Sequence, residues 1–225
     1  MGANIGTTIT GQLIALKVGV IAPIFALAGV IMVSFCKKQK VIHLGDVIAG
    51  LGILFIGMDM MSGAMVPLRD NPDFVQLMTK FSNPFLGILF GAVFTAIIQS
   101  SSASVGILQA LAMSGVIGLE SSVFILFGQN IGTCITAVLA SLGANRNAKR
   151  TTIIHLSFNI IGTCIFVVLA MVTPLVSWMQ SITDNPAAQI ANMHTLFNIV
   201  TTLLLLPIGQ QLAVLSQKIL PVLPN

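Results

Sequence analysis

Apolar residues fall in long runs along this chain, and short polar stretches separate them. The runs are Val18–Phe35, Leu44–Leu68, Pro84–Ile97, Ala103–Leu119, Ser121–Leu142, Thr151–Val172 and Ile190–Ile208. A helix needs about 20 apolar residues to cross a hydrocarbon core about 30 Å thick. Four runs come close to that length and predict membrane-spanning helices: Val18–Phe35, Leu44–Leu68, Thr151–Val172 and Ile190–Ile208. Pro84–Ile97 and Ala103–Leu119, at 14 and 17 residues, are short for a clean crossing. Between these two stands Gln99-Ser100-Ser101-Ser102, and Ser121–Leu142 carries GQNIGT inside it.

Charge then sets an orientation. Lys37, Lys38 and Lys40 follow the first run, and Arg146, Lys149 and Arg150 precede Thr151–Val172. The positive-inside rule puts both clusters in the cytoplasm. The stretch Arg69–Asn83 and the loop with Asp184 are then outside. From Pro84, outside, to Arg146, inside, the chain crosses an odd number of times. Three crossings would make the first two short. A hairpin that dips in, turns at Gln99–Ser102 and returns, followed by one crossing, fits the lengths better. Backbone turning at membrane depth must be buried in protein or line a wet cavity. Hydroxyls and an amide, which donate and accept, can serve that backbone or a bound ion.

Composition agrees with this class. Of 225 residues, 56% are hydrophobic and only 7% charged, against about 25% charged in a soluble domain. Mean hydropathy is +1.00. This describes an all-α integral membrane protein that passes the bilayer several times, with the cell inner (plasma) membrane as its expected location. The opening Gly, Asn and Thr residues do not read as a cleavable signal. Cys36, Cys134 and Cys164 have neither disulfide nor metal spacing and read as reduced bundle cysteines. No nucleophile–base pair or metal constellation argues for an enzyme, and no organic cofactor or nucleic acid is implied.

Two short elements recur. GANIGTTIT at 2–10 and GQNIGTCIT at 128–136 agree at seven of nine positions. HLSFNIIGT at 155–163 and HTLFNIVTT at 194–202 share H-x-x-F-N-I and a final Thr. Glycine weakens a helix interior, so Gly128 and Gly132 predict a break in the span. A break frees carbonyls that suit Na+ and N–H groups that suit an anion. Discontinuous helices repeated in two halves are a common design for transporter sites. His155 and His194 read as helix-to-helix hydrogen-bonding groups, and Asn159 and Asn198, four residues on, as braces for the broken helices. Asp59 is an acid inside an apolar run and a functional candidate on that ground; Asp46 reads as interfacial.

QSSSAS followed by GQNIGT and HxxFN, with a GANIGTT copy upstream and GLGILFIGMDMMSGAMVPL at 50–68, resembles the type II sodium–phosphate cotransporter family, bacterial members included. The resemblance covers nearly the whole chain. It implies an inverted-repeat transporter with re-entrant hairpins and broken transmembrane helices, and Na+-coupled transport of inorganic phosphate. Residues 1–68 would be the remainder of the first repeat with linking helices. Residues 69–225 would be the second repeat, with hairpin 84–119, broken helix 121–142 and helices 151–172 and 190–208. On the family pattern Gln99, Ser100, Ser101 and Ser102 form the hairpin tip. Asn130 and Thr133 form its helix break, and Asn4, Thr7 and Thr8 the first repeat's break. Na+ would sit at Gln99, Ser101, Asn130 and Thr133. The family pattern has two QSSS hairpins and this chain has one, so an incomplete transporter is expected. The partners implied are phosphate, Na+ and the lipid bilayer, with self-association left open. Transport or conduction of another anion, and a non-transporting assembly role, are the rival readings.

Overall fold

A computed structural model of the chain describes residues 1–16 and 21–221. Twelve helices and no strand occur among the described residues: α1 Gly2–Ile14, α2 Ala22–Phe35, α3 Gln39–Arg69, α4 Pro72–Lys80, α5 Pro84–Ile98, α6 Ser101–Met113, α7 Leu119–Gly132, α8 Cys134–Ser141, α9 Arg146–Val172, α10 Leu175–Ile182, α11 Pro186–Leu205 and α12 Gly209–Ile219. The predicted span beginning at Val18 is α2, and its residues 18–20 lie outside the described residues.

Local sequence explains the starts. Asn71-Pro72, Asn83-Pro84 and Asn185-Pro186 open α4, α5 and α11. Each asparagine Oδ1 accepts from backbone N–H groups of the first turn, for example Phe85 at 3.0 Å. Proline supplies a fixed φ where an N–H has no intrahelical partner anyway. The stretch Arg69–Asn83, read from sequence as a polar connection, therefore contains a helix. It is amphipathic, with Met78 buried. The run expected to end at Ile208 stops at Leu205, because Pro207 and Gly209 follow; α12 leaves α11 at 83°.

Among the described residues, three helical stretches are long and apolar enough to cross a membrane: α3, the α7–α8 pair and α9. Counting the bent pairs α4–α5 and α11–α12 as single spans raises the total to five. Large apolar side chains point outward along the shorter α2 and along α3, with Ile24, Leu27, Ile53 and Met60 all exposed. A lipid-facing surface has that character, whereas a soluble monomer rarely shows so large an apolar patch.

Glycines set the two closest helix crossings. A Cβ on Gly87 would lie 2.7 Å from Phe124 Cβ. One on Gly91 would overlap the Ile125 carbonyl, one on Gly128 the Ile88 carbonyl, and one on Gly132 the Ala92 carbonyl. Residue numbers rise together along this contact, so α5 and α7 run parallel. Helix α6, which links them in sequence, must then run back antiparallel to both, and the segment is a hairpin. At 15 and 13 residues, α5 and α6 are about 22 and 20 Å long, short of the full core. The second crossing pairs α2 with α3 through Gly29, Gly45 and Gly52, whose added Cβ atoms would run into the facing helix. Small residues that let backbones approach are how membrane helices gain packing energy without a hydrophobic drive between them.

Beside the hairpin, Phe127 of α7, Phe166 of α9 and Phe197 of α11 form an aromatic centre with ring centroids 4.9–5.8 Å apart. Helix α1 packs antiparallel on α11. Gln12 Nε2 donates to Asn192 Oδ1 and Thr195 Oγ1, and Asn185 Nδ2 donates to the Ala15 carbonyl at 2.8 Å.

Candidate functional site

The hairpin turns on Gln99 and Ser100. Gln99 has φ 60° and ψ 18°, the left-handed region, and is the one non-glycine residue with positive φ among the described residues. Its N–H still closes α5 on the Thr95 carbonyl at 2.8 Å. Ser100 is extended, and its Oγ accepts from the Ala103 N–H at 3.3 Å, capping α6. Gln99 and Ser100 are exposed, while Ser101 and Ser102 in the first turn of α6 are half-buried. The tip therefore gathers hydroxyls, an amide and the positive end of a helix.

One turn deeper, the hairpin meets α7. Gln129 Nε2 donates to the Ser104 carbonyl at 3.0 Å. Gly132 lies against Thr95: an added Cβ would stand 2.8 Å from that of the threonine. Thr95 Oγ1, Ser104 Oγ and Gln129 Oε1 are all buried without a hydrogen-bond partner. These three oxygens lie along the contact of the hairpin with α7; others without a partner, such as Gln109 Oε1 and Thr201 Oγ1, are buried elsewhere in the bundle.

The sequence-predicted residues divide. Gln99–Ser102 stand together at the tip. Asn130 and Thr133 make no hydrogen bond to the tip; the hairpin meets this helix one turn deeper, through Gln129 against Ser104 and Gly132 against Ala92 and Thr95. Thr133 separates α7 from α8 with φ −56° and ψ −27°, so the interruption is a single residue of near-helical backbone. Thr133 Oγ1 donates to the Gln129 carbonyl at 2.8 Å and Cys134 Sγ reaches the Asn130 carbonyl at 3.9 Å. Glycines 128 and 132 serve the close approach of α5 and do not unwind the helix, which is why the break is shallower than their spacing suggested. The break expected at Asn4, Thr7 and Thr8 does not occur: α1 runs unbroken from Gly2 to Ile14. Thr7 and Thr8 hydroxyls bond back to the carbonyls of Ala3 and Ile5 within it.

The two asparagines of the repeated element nevertheless have matching partners. Asn4 Nδ2 donates to Asn159 Oδ1 at 3.0 Å. Asn130 donates through Nδ2 to the Leu126 carbonyl, which leaves its Oδ1 as acceptor. His194 Nε2 donates to that oxygen at 3.2 Å, and Asn198 Nδ2 makes a longer contact of 3.5 Å. Both asparagines of the HxxFN elements thus brace an NIGT asparagine. Cys134 joins the two groups, accepting from Asn159 Nδ2 at 3.1 Å. His155, expected to bond like His194, has its Nε2 buried without a partner.

Sequence reasoning passed over Gln109, Gln129, Thr95 and Ser104. Gln109 is fully buried in α6, and its Nε2 donates to the carbonyls of Gly11 and Ala187 at 3.0 and 2.9 Å, tying three helices together. A glutamine inside the apolar run ILQALAM was the available signal. Asp59 is exposed on α3, away from this seam. No group of three or more His, Cys, Asp or Glu that could hold a metal occurs among the described residues. The chemistry on offer is neutral: donors for an oxyanion at the tip and hard oxygens for a cation at the seam.

Comparison with known proteins gives a consistent picture. YqeW of Bacillus subtilis is 35% identical over 211 residues, covering 92% of this chain and 67% of that protein. YjbB of Salmonella typhimurium, whose name assigns it provisionally to inorganic phosphate export, is 26% identical across 98% of this chain, which spans 40% of its length. The human sodium-dependent phosphate transport protein 2B is 42% identical over 94 residues, covering 37% of this chain and 14% of that protein. No solved structure matches the chain. The sequence model described as Na+/Pi-cotransporter matches residues 1–63 and 71–200. With that match spread over most of its length, the chain belongs to the Na+/Pi-cotransporter family.

Proposed function

We propose that this chain works in Na+-coupled movement of inorganic phosphate across the plasma membrane, as part or all of a transporter. The observation that carries the reading is the seam of three unpartnered buried oxygens, Thr95 Oγ1, Ser104 Oγ and Gln129 Oε1, directly behind the Gln99–Ser102 tip. In this reading phosphate is held by Gln99, Ser100, Ser101 and Ser102 and by the free N–H groups that open α6. Na+ binds behind it, drawing on the seam oxygens and on Gln99, Ser101, Asn130 and Thr133. Asn4, Thr7 and Thr8 contribute from α1. Phosphate near neutral pH carries one to two charges, and burying it without compensation is costly. Co-bound Na+ supplies the compensation, and the Na+ gradient supplies the drive.

The domain reading goes with it. Residues 69–225 form one repeat unit, and 1–68 the remainder of the other with its linking helices. The matching stretches at 2–10 and 128–136, one in each unit, support an internal repeat.

The test is uptake of radiolabelled phosphate into proteoliposomes under an inward Na+ gradient, with a K+ gradient as control and sulfate as competitor. Uptake that requires Na+ and resists sulfate is expected. Ser101→Ala should weaken apparent phosphate affinity by about tenfold, the worth of one hydrogen bond to a charged group. Uptake indifferent to Na+ would refute the coupling, and sulfate competing as well as phosphate would refute the substrate. Absence of any uptake would refute transport by this chain alone.

A further inference from the structure

We propose that the basic side of the bundle, where α9 begins and α12 ends, binds the headgroup of an anionic glycerophospholipid. Helix α12 turns 83° away from α11. With α11 upright in a membrane, α12 lies close to the plane of the interface, where amphipathic helices settle. Its inner face is fixed, because Leu212 packs with Phe158 and Leu205. Its outer face is left open, with Val214, Leu215 and Ile219 exposed beside Lys218. Gln210, Gln211, Val214, Leu215 and Lys218 line one shallow cleft. Aliphatic side chains, amides and an ammonium group in a single cleft match the boundary between acyl chain and headgroup.

The start of α9 adds charge at the same place. Arg150 donates from Nε and Nη2 to the Leu220 carbonyl at 3.0 and 2.9 Å, and Arg146 bonds the Pro221 carbonyl. These bonds hold the first turns of α9 against the last turn of α12. Arg146, Lys149, Arg150 and Lys218 thereby share one end of the bundle. No acidic residue occurs on α12 or in the first three turns of α9. The nearest acid on that side by topology is Asp46 of α3, which is 3.9 Å from His43. The two arginines are fixed by carbonyls, while Lys149 and Lys218 are exposed. A fixed pair of guanidinium groups flanked by two exposed ammonium groups and an apolar shelf is complementary to a phosphodiester carrying acyl chains.

The experiment is native mass spectrometry of the full chain released from nanodiscs of phosphatidylglycerol and phosphatidylcholine mixed equally. Three proteins are compared: wild type, the double variant Lys149→Gln/Lys218→Gln, and the charge-keeping double variant Lys149→Arg/Lys218→Arg. Each basic group near an anionic headgroup is worth about fivefold in binding. The wild type should retain phosphatidylglycerol over phosphatidylcholine. The glutamine variant should lose about 25-fold of that preference, and the arginine variant should keep it. Both substitutions are on exposed side chains, so melting temperatures should match the wild type and a folding defect is separable. An unchanged preference in the glutamine variant overturns the proposal. Displacement of the lipid by excess inorganic phosphate also overturns it, since the cluster would then be a site for the free anion. None of these readouts needs transport, so the result stands apart from the proposed function.

Discussion

Replacing Gly91 by alanine tests the contact on which the hairpin depends. The new Cβ would overlap the Ile125 carbonyl and stand 3.0 Å from the Gln129 N–H nitrogen. Both are backbone atoms of α7, so no side chain can swing aside. Reaching ordinary contact distance requires α5 and α7 to part by roughly 1–1.5 Å. Overpacking of this kind costs about 1–3 kcal/mol, and the better helix propensity of alanine returns about 1 kcal/mol. The net loss is about 0–2 kcal/mol, up to roughly 8 °C in melting temperature for a chain of this size, and about 1–3 kcal/mol relative to a glycine-to-alanine change that meets no neighbour. Gly50→Ala is the matched control, because a Cβ there meets nothing within 4 Å. It should melt at or slightly above the wild type. The assay is a thermal melt of both variants in detergent, followed by phosphate uptake. A 1 Å displacement of the hairpin relative to Gln129 should cost up to about 100-fold in uptake rate. A Gly91→Ala protein that melts like Gly50→Ala would refute the crossing of α5 and α7 described above.

Two further outcomes follow from the buried polar groups. Gln109→Leu removes both bonds that tie α6 to α1 and α11. It should destabilise by about 1–3 kcal/mol, read as a lower denaturation midpoint with unchanged helical content. A double-mutant cycle of Asn130→Ala with His194→Ala should return a coupling of about 0.5–3 kcal/mol. The corresponding cycle of Asn4→Ala with His155→Ala should return close to zero, because His155 Nε2 has no partner.

Much of the architecture was legible because the membrane imposes a simple code. Spans are long apolar runs, and Leu44–Leu68 and Thr151–Val172 sit inside α3 and α9. The hairpin was legible because two short runs flank a polar tetrapeptide, and the turn does occur at Gln99–Ser100. The short helices α4, α10 and α12 were not, since interfacial helices mix apolar and polar residues and leave no run to detect. The Asn-Pro pair at 71–72, which caps α4, was the one local signal available for it. Glycine was legible as a signal but not in its meaning. Gly128 and Gly132 could unwind a helix or admit a neighbour, and only the position of α5 decides between these. Position 4 failed for a related reason: the same NIGT letters sit in an unbroken α1, so the motif does not itself dictate a break.

The character of the buried polar groups bears on how an anion could pass through such a bundle. Thr95, Ser104, Gln109, Gln129, Asn130, Asn159, His194 and Asn198 are all buried, and no Asp, Glu, Lys or Arg is among the buried residues described. A fixed cation would bind phosphate tightly in a medium of low dielectric and would hinder its release. Neutral donors bind it more weakly and leave its charge to be balanced by ions that travel with it. On the proposed reading this is why the hydroxyl tip and the oxygen seam lie one helical turn apart. An anion at Ser101 and Ser102 and a Na+ among Thr95, Ser104 and Gln129 would attract each other most strongly when both are present and water is excluded. Loading one site then favours loading the other, and an empty hairpin carries no charge to oppose its movement. Coupling would arise from charge balance across the tip, without an arginine clamp.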